Sequence, residues 1–504
     1  MAVLHEQSLN GHREMLTIKN PVTDEELGSI PVLTADDICA AVDRARAAQP
    51  MWQALGARQR GRLINRWKDM IWQDQKNCMA VIRRETGKTD ANAFIEICIL
   101  DAAVNYNVSR APGLLRDQYR PSFIPVMHRA KVTYKPHGVV GFITPWNYPF
   151  MNALSDLVAA LAMGNTAILK PSEVTPYTAF YAVEMMYKAG IPKDVVQVVT
   201  GDGRTGAALV DFVDYIMFTG STANGKKVAL RAAERLIPCS LELGGKDPVI
   251  ILNDANLDAA ATGTLRGALE NAGQACVCVE RVYVESGIYD AFVQKIVEYA
   301  NKLVIGNGDG FDIHMGSLTN KRELLRCEEH VREAVASGAK VLYGGSARPD
   351  LGPHFFEPTV MIDVDHSMKL MNEETFGPII PIMKVKDAEE AIQLANESEY
   401  GLSATIFTSD LRRGERLARL INAGDVSINR PQIVFGTPSV PMGGEKNSGV
   451  GRRNGKEGLL RFVKTQSIIT DTLLIAPTDL TQADPISLLG MQVMRLIHKV
   501  FPYL

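Results

Sequence analysis

No stretch of about twenty apolar residues occurs in the chain, so nothing in it reads as a bilayer-spanning helix. Cysteine is scarce: there are seven among 504 residues, scattered along the chain. An odd, sparse set argues against a disulfide framework and for a reducing compartment. There is no basic excess either. Lys and Arg total 54 against 57 Asp and Glu, a net charge of -3, which leaves no electrostatic footprint for nucleic acid. The opening residues, MAVLHEQSLNGHRE, hold no apolar run, and no secretory signal is expected. Internal repeats and low-complexity linkers are absent, and no metal site is expected. A soluble cytoplasmic protein is what these absences leave.

What is present is ordinary globular material. Hydrophobic residues make up 46% and charged residues 22%, enough to bury large cores. At roughly 100–200 residues per domain, the length suggests two to four domains. Strand-like and helix-like segments alternate. GVVGFI, TAILK, VVQVV and DYIMF are strand candidates between Gly138 and Phe218, with helical patterns over 152–163 and 176–188 between them. Such alternation means βαβ units and a parallel sheet. A second series holds DPVIIL, a helix over 257–270 and RVYVE. A third, smaller one holds PIIPIMKV, a helix opened by Asp387 and Glu390, and LSATIF. The N-terminal region reads as mostly helical, with Thr34 and Asp37 at capping-box spacing. The expected fold class is α/β, as two lobes in intimate contact.

Several residues carry chemistry. Cys276, in GQACVCVE, follows the break of a helical pattern at Gly273 and precedes a strand. A thiol so placed can lie near backbone N–H groups, which would lower its pKa. Cys278 lies two positions on, and spacing alone does not choose between them. Glu242, in LELGGK, has apolar flanks that would raise its pKa toward the range of a general base, and glycines that would let backbone approach a ligand. Asn147, in TPWNYP, ends an apolar strand at the edge where α/β sheets bind ligands, and its amide could serve an oxyanion. Taken singly, each is more commonly a structural residue. For a nucleotide, TAILKPSE offers Lys170 and Glu173. FTGST places Thr219, Gly220 and Ser221 before a helix N-terminus able to hold phosphate. GDGRTG, a lone GxGxxG match, competes for that role.

Together, PWNYP, KPSE, FTGSTxxG, ELGGK, GQAC, EETFGP and PMGG…SGVGR, in this order from about Asn20 to Thr470, resemble the aldehyde dehydrogenase superfamily. The resemblance implies two Rossmann-like parallel-sheet domains and a small bridging flap. NAD binding would fall in 1–117 and 137–243, catalysis in 244–447, and bridging and oligomerisation in 118–136 and 463–475. It implies that Cys276 attacks the aldehyde, that Asn147 and the Cys276 amide hold the oxyanion, and that Glu242 activates the water that hydrolyses the thioester. Cys278 then returns to a structural role. The implied cofactor surface comprises Ile143, Thr144, Pro145, Trp146, Lys170, Ser172, Glu173, Gly203, Gly206, Phe218, Gly220, Ser221, Leu243, Gly244, Glu374 and Phe376. Lys170 and Glu173 would hold the adenosine ribose, and Glu374 and Phe376 the nicotinamide half. The pyrophosphate would lie near the FTGS helix, and GDGRTG beside the adenosine. Glu173 favours NAD, because a 2'-phosphate there would face like charge; NADP is the second choice. A homodimer or homotetramer is implied. The alternatives are a CoA-acylating enzyme, which usually lacks the glutamate, and a non-catalytic relative, which the intact Cys276, Glu242 and Asn147 argue against.

The substrate is expected to be an uncharged aldehyde, apolar or aromatic. The chain is broadly similar to bacterial succinate-semialdehyde dehydrogenases, and that substrate is the alternative. The better-understood enzymes of that group hold the distal carboxylate with two arginines, and those positions align here with Ser155 and Glu270. A serine supplies no charge and a glutamate repels a carboxylate. Tyr148 and Met442 are further pocket-wall candidates, and a cationic aminoaldehyde paired with Glu270 is the second option. Beyond Asp471, the segment 476–504 reads as an apolar tail, helical from Ile486 to Phe501, with Gln492, Arg495 and Lys499 on one face and His498 beside it. Packing on its own or a neighbouring subunit, a lid over the substrate entrance, or peripheral contact with anionic lipid are its open roles.

Overall fold

The computed structural model describes residues 13–122 and 128–472, and residues 492, 493, 495, 496 and 499 of the tail. The chain starts with a hairpin, Met15–Lys19 paired antiparallel with Glu26–Pro31, where sequence pattern suggests mostly helix. Both strands are short and half-exposed, so their apolar alternation is faint. Four helices follow: Ala35–Ala54, Gly56–Gln73, Gln75–Thr86 and Asp90–Leu114. The first begins where the spacing indicates. Thr34 Oγ1 accepts from the Asp37 amide at 3.4 Å while the Asp37 carboxylate accepts from the Thr34 amide at 2.8 Å, so two orphan donors of the helix end are satisfied reciprocally. At Asp387 only half of the expected box forms. Asp387 accepts from the Glu390 amide, but the Glu390 carboxylate reaches back to the Lys386 amide instead.

Two large sheets organise the rest. One runs, in spatial order, Gly449–Val450, Cys239–Glu242, Tyr215–Thr219, Val139–Ile143, Thr166–Lys170 and Val196–Val198. All its neighbours are parallel except the added edge strand Gly449–Val450. Its central strands are buried on both faces and so read as continuous apolar runs. Along Val139–Ile143, Val140 and Phe142 enter the core shared with the helices Gly56–Gln73, Asp90–Leu114 and Met151–Ala162, while Val139 clusters separately with Ile38 and Val42 of the first helix and Leu209. The helix Met151–Ala162 is buried all round, and its sequence is accordingly apolar except for Asn152, Ser155 and Asp156 on one face.

The second sheet runs Lys340–Tyr343, Thr359–Ile362, Ile379–Val385, Val279–Glu285, Asp247–Ile251, Ser403–Phe407 and Asp425–Ile428, antiparallel only between the first two. The two later βαβ series of the sequence therefore merge into one sheet over one core. A separate antiparallel sheet joins Gln118–Arg120, His128–Pro136 and Val463–Asp471. In its outer strand every residue after Val463 is exposed. Most of the expected tail helix lies outside the described residues; Gln492, Val493, Arg495, Leu496 and Lys499 are helical and exposed. No helix among the described residues is long and apolar enough to cross a membrane.

Candidate active site

The parallel strands Val139–Ile143, Thr166–Lys170 and Tyr215–Thr219 end at one edge, and their carboxyl ends open into a cleft of about 900 Å³. Every residue expected on the cofactor surface, from Ile143 to Phe376, lines this cleft, as do Asn147, Glu242 and Cys276.

Helix N-termini at this edge differ in one respect that matters for an anion. Glu96 accepts from the Phe150 and Met151 amides at 3.0 and 2.9 Å, closing the start of Met151–Ala162. Glu85 accepts from the Tyr177 and Thr178 amides and closes Pro176–Lys188. Asp202 accepts from the Arg204 amide at 2.8 Å and closes Gly203–Phe212. The helix Thr222–Glu234 has no side-chain cap at Ser221, so its positive end faces the cleft uncompensated. Between the GDGRTG and FTGS helices, then, the first already holds its own carboxylate. Lys170 Nζ stands 3.2 Å from the half-exposed Glu173 carboxylate. Thr144 Oγ1 is buried on the lining without a hydrogen-bond partner.

At the other end of the cleft, Trp146 and Phe376 meet edge to face, ring centroids 5.5 Å apart. Phe376 sits at φ 55°, an uncommon conformation for a bulky residue. Glu280 accounts for it: its carboxylate accepts from both the Thr375 and Phe376 amides at 2.8 Å and is held by Lys246 Nζ at 2.6 Å. Glu374 accepts from the Gly245 amide at 3.0 Å, and burial, then the Glu280 charge, push its carboxyl up to about 8.

The glycines of LELGGK allow close approaches within the protein. A Cβ on Gly244 would stand 2.7 Å from the Glu374 carboxylate, and one on Gly245 2.4 Å from the Cys276 carbonyl. The first lets a cofactor-lining carboxylate in; the second brings the Cys276 loop against the strand bearing Glu242. That loop is tightly wound. The helical pattern breaks at Asn271 rather than Gly273, and Asn271, Ala272 and Gly273 all have positive φ. Asn147 Nδ2 donates to the Gln274 carbonyl at 2.9 Å, and the Gln274 side chain bonds Asn271 O and the Thr319 amide at 2.9 Å each. Cys276 is half-buried on the cleft. Cys278 is buried behind it, near Glu270 O and the Gln432 amide. Both cysteines precede the strand Val279–Glu285, and the loop turns one toward the cleft and the other behind it.

The electrostatics of the pair differ from the sequence expectation in one half. Burial pushes the Glu242 carboxyl up to about 7, as its apolar flanks suggest, and its Oε1 has no hydrogen-bond partner. The Cys276 thiol is also pushed up, first by burial and then by the Glu242 charge. Loop amides were expected to lower it; instead, desolvation of a thiolate beside a carboxylate raises it.

The expected substrate-wall residues lie around this loop and off the cleft lining. Tyr148 donates to Glu270 Oε1 at 3.1 Å, and Lys88 Nζ lies 4.0 Å from its ring centre. Burial raises the Glu270 carboxyl. Met442 is buried in the cluster that includes Phe435 and packs on Cys276. Ser155 is not a bare neutral wall position, because the Arg453 guanidinium donates to its Oγ at 2.9 Å. A cation therefore reaches this spot from a distant part of the chain, balanced by Asp156 at 3.0 Å. Arg453, Glu280 and Lys88 are the residues that sequence reading missed. A charge inside an apolar stretch, as in CVERVYV, was the available signal for Glu280; Arg453 sits within the SGVGRRNG motif with nothing local to mark its burial.

The sequence model described as "Aldehyde dehydrogenase family" matches residues 9–468. The chain belongs to the aldehyde dehydrogenase family. It is an NAD(P)-dependent aldehyde dehydrogenase, which oxidises an aldehyde to the carboxylate through a cysteine-bound intermediate. It is 42% identical to a Mycobacterium ulcerans protein named "Putative succinate-semialdehyde dehydrogenase", NADP(+)-type, over 91% of this chain and 89% of that one. It is 38% identical to a glutarate-semialdehyde dehydrogenase of Pseudomonas aeruginosa, over 90% and 93%. Among solved structures, an E. coli NADP-dependent enzyme superposes with a TM-score of 0.88 at 35% identity, covering 91% and 95% of the two chains. Betaine aldehyde dehydrogenase from Staphylococcus aureus in complex with NAD+ gives 0.87 at 32% identity, covering 93% and 94%.

Proposed function

We propose that Cys276 is the nucleophile, Asn147 the oxyanion donor and Glu242 the base of this aldehyde dehydrogenase. The observation that carries the reading is the meeting of Glu242 and Cys276 on one cleft, with the Glu242 Oε1 unpartnered and its carboxyl pushed up to about 7. The cleft residues fit a dinucleotide. The uncapped start of Thr222–Glu234 suits its pyrophosphate, Lys170 and Glu173 its adenosine ribose, Glu374 its nicotinamide ribose, and the unpartnered Thr144 hydroxyl gives one more polar contact. When bound, the dinucleotide supplies the hydride acceptor. Cys276 gives up its proton to Glu242, directly or through water, because the thiol does not ionise readily in this buried setting. Its sulfur adds to the aldehyde carbon. One N–H of the Asn147 amide is engaged by Gln274, which orients the other toward the oxyanion together with the Cys276 amide. After passing the thiol proton on to solvent, Glu242 is again a carboxylate and takes a proton from the water that hydrolyses the acyl–sulfur bond.

Domain roles follow the sheets. The six-stranded sheet is the cofactor half, the seven-stranded sheet the catalytic half, and the Gln118–Arg120, His128–Pro136 and Val463–Asp471 sheet the bridge that joins copies into a dimer or tetramer.

The substrate has two readings. The names of the relatives support a dicarboxylic semialdehyde better than they support the uncharged aldehyde expected from the sequence. The uncharged reading rests on the aligned position of Glu270: its buried carboxyl, bonded by Tyr148, offers no cation to an anionic substrate tail. Reduction of NAD and NADP is to be measured with succinic semialdehyde, glutaric semialdehyde, hexanal and benzaldehyde, each with and without CoA. A kcat/KM for either semialdehyde at or above that for hexanal and benzaldehyde removes the uncharged reading. Dependence on CoA removes hydrolysis by Glu242.

A further inference from the structure

Arg453 is fully buried, 3% exposed, in a chain whose other arginines lie mostly at the surface. Its backbone forms an antiparallel bridge with Met442, N–H to O in both directions at 2.7 and 2.8 Å. Between these two bridged residues the chain folds back as Gly449–Val450, which pairs with Leu241 and Glu242. The same hairpin runs close beside the carboxylate: a Cβ added to Gly443 would stand 3.2 Å from Glu242 Oε1. One hairpin thus contacts Glu242 and carries the guanidinium inward. There the guanidinium is fixed by three side chains of the helix Met151–Ala162: Asn152 Oδ1 at 3.0 Å, Ser155 Oγ at 2.9 Å and Asp156 at 3.0 Å. Arg461 also pairs with Asp156, so that carboxylate is shared by two cations.

We propose that the Arg453 guanidinium, fixed by Asn152, Ser155 and Asp156, is a positioning residue: it is a buried cation shared by base Glu242 and nucleophile Cys276. The proposal rests on the assignment of those two residues under Proposed function. The strongest charged influences on Glu242 are Arg453, Arg461 and Arg452 on the favourable side and Asp156 on the other. Those acting on Cys276 are Glu242, Asp247 and Glu374, all opposing ionisation, with Arg453 favouring it. Arg453 acts strongly on both, and Asn152, whose Oδ1 accepts from its guanidinium, lines the cleft together with Glu242 and Cys276. Burial alone disfavours the carboxylate and the thiolate, and the two repel each other. A fixed positive charge beside them lets a proton move from sulfur to carboxylate, and later from water to carboxylate, without leaving either charge uncompensated.

The test uses the full-length protein and two readouts. One is the pH profile of kcat, whose acid limb reports the base. The other is the rate of iodoacetamide alkylation at Cys276, followed by mass spectrometry, which needs no turnover. Arg453→Met is expected to move the acid limb up by about one pH unit and to slow alkylation about tenfold at pH 8. Arg453→Lys is expected to restore most of both. Asp156→Asn, which removes the opposing charge, is expected to move the limb to lower pH. A merely structural network would lower the melting temperature in all three variants without moving the limb in opposite directions. An unchanged limb and alkylation rate in folded Arg453→Met overturns the proposal. So does a rise confined to KM for a semialdehyde, which would make Arg453 a substrate anchor. Should Arg453→Met not fold, Arg453→Gln is read in its place, and an unchanged limb and alkylation rate in that variant is the overturning result. If instead Cys276→Ser and Glu242→Gln keep full turnover, the underlying assignment fails, and the alkylation profile still reports on the arginine.

Discussion

The Asn147 side-chain amide donates to the backbone carbonyl of Gln274 at 2.9 Å, tying the end of one sheet strand to the loop that carries Cys276. The partners are 127 residues apart in sequence. The bond fixes the amide plane, so the remaining N–H has a defined direction.

Asn147→Ala is expected to lower kcat by about 10²–10³-fold, the usual effect of deleting one oxyanion donor, with dinucleotide affinity little changed. Titration of the variant with cofactor, alongside steady-state kinetics, separates the two quantities. A loss confined to KM would remove the oxyanion role.

Cys276→Ser should bind the dinucleotide and lose nearly all oxidation. Cys278→Ala should stay active, because its sulfur is buried behind the loop, and the cost is one small cavity of roughly 1 kcal/mol. Activity lost with Cys278 and kept without Cys276 would reverse the assignment of the nucleophile.

Glu242→Gln is expected to give a rapid first turnover and slow steady state, since hydrolysis needs the base. The same variant should alter stability in a pH-dependent way. The folded carboxyl titrates at about 7 against an ordinary 4.5, mainly through burial. Between those values the folded state binds more protons than the unfolded one, so native stability falls as pH rises through the window. Above it the buried carboxylate costs up to about 3 kcal/mol, which glutamine does not incur. Thermal melts of the two proteins should therefore coincide near pH 4.5 and diverge by pH 8.5, with the variant higher. Parallel curves would show that Glu242 is not desolvated in solution.

NAD is expected to outperform NADP. Lys170 already faces Glu173 at 3.2 Å, so a 2'-phosphate would meet a carboxylate before a free cation. The names of several relatives specify NADP, which makes the comparison of kcat/KM for the two cofactors decisive. Glu173→Ser should narrow the ratio. A wild-type ratio at or below one defeats the expectation.

The sequence by itself determined the alternation of strands and helices, because buried parallel strands such as TAILK and YIMFT must be apolar on both faces. It also placed the chemistry-bearing motifs at strand ends, where chain reversal next to a sheet edge dictates glycine, proline and capping residues. Three things were left to tertiary structure. Carboxylates from elsewhere in the chain, Glu96 and Glu85, close helix ends that local sequence leaves open, and this singles out the start of Thr222–Glu234. The ionisation of Cys276 follows from how much water packing removes, and a thiol between neutral neighbours in sequence gives no hint that Glu242 will face it. Arg453 meets Ser155 across 298 residues. Desolvation and charge pairing act over a few ångströms in space, and only the folded chain sets which charges come that close.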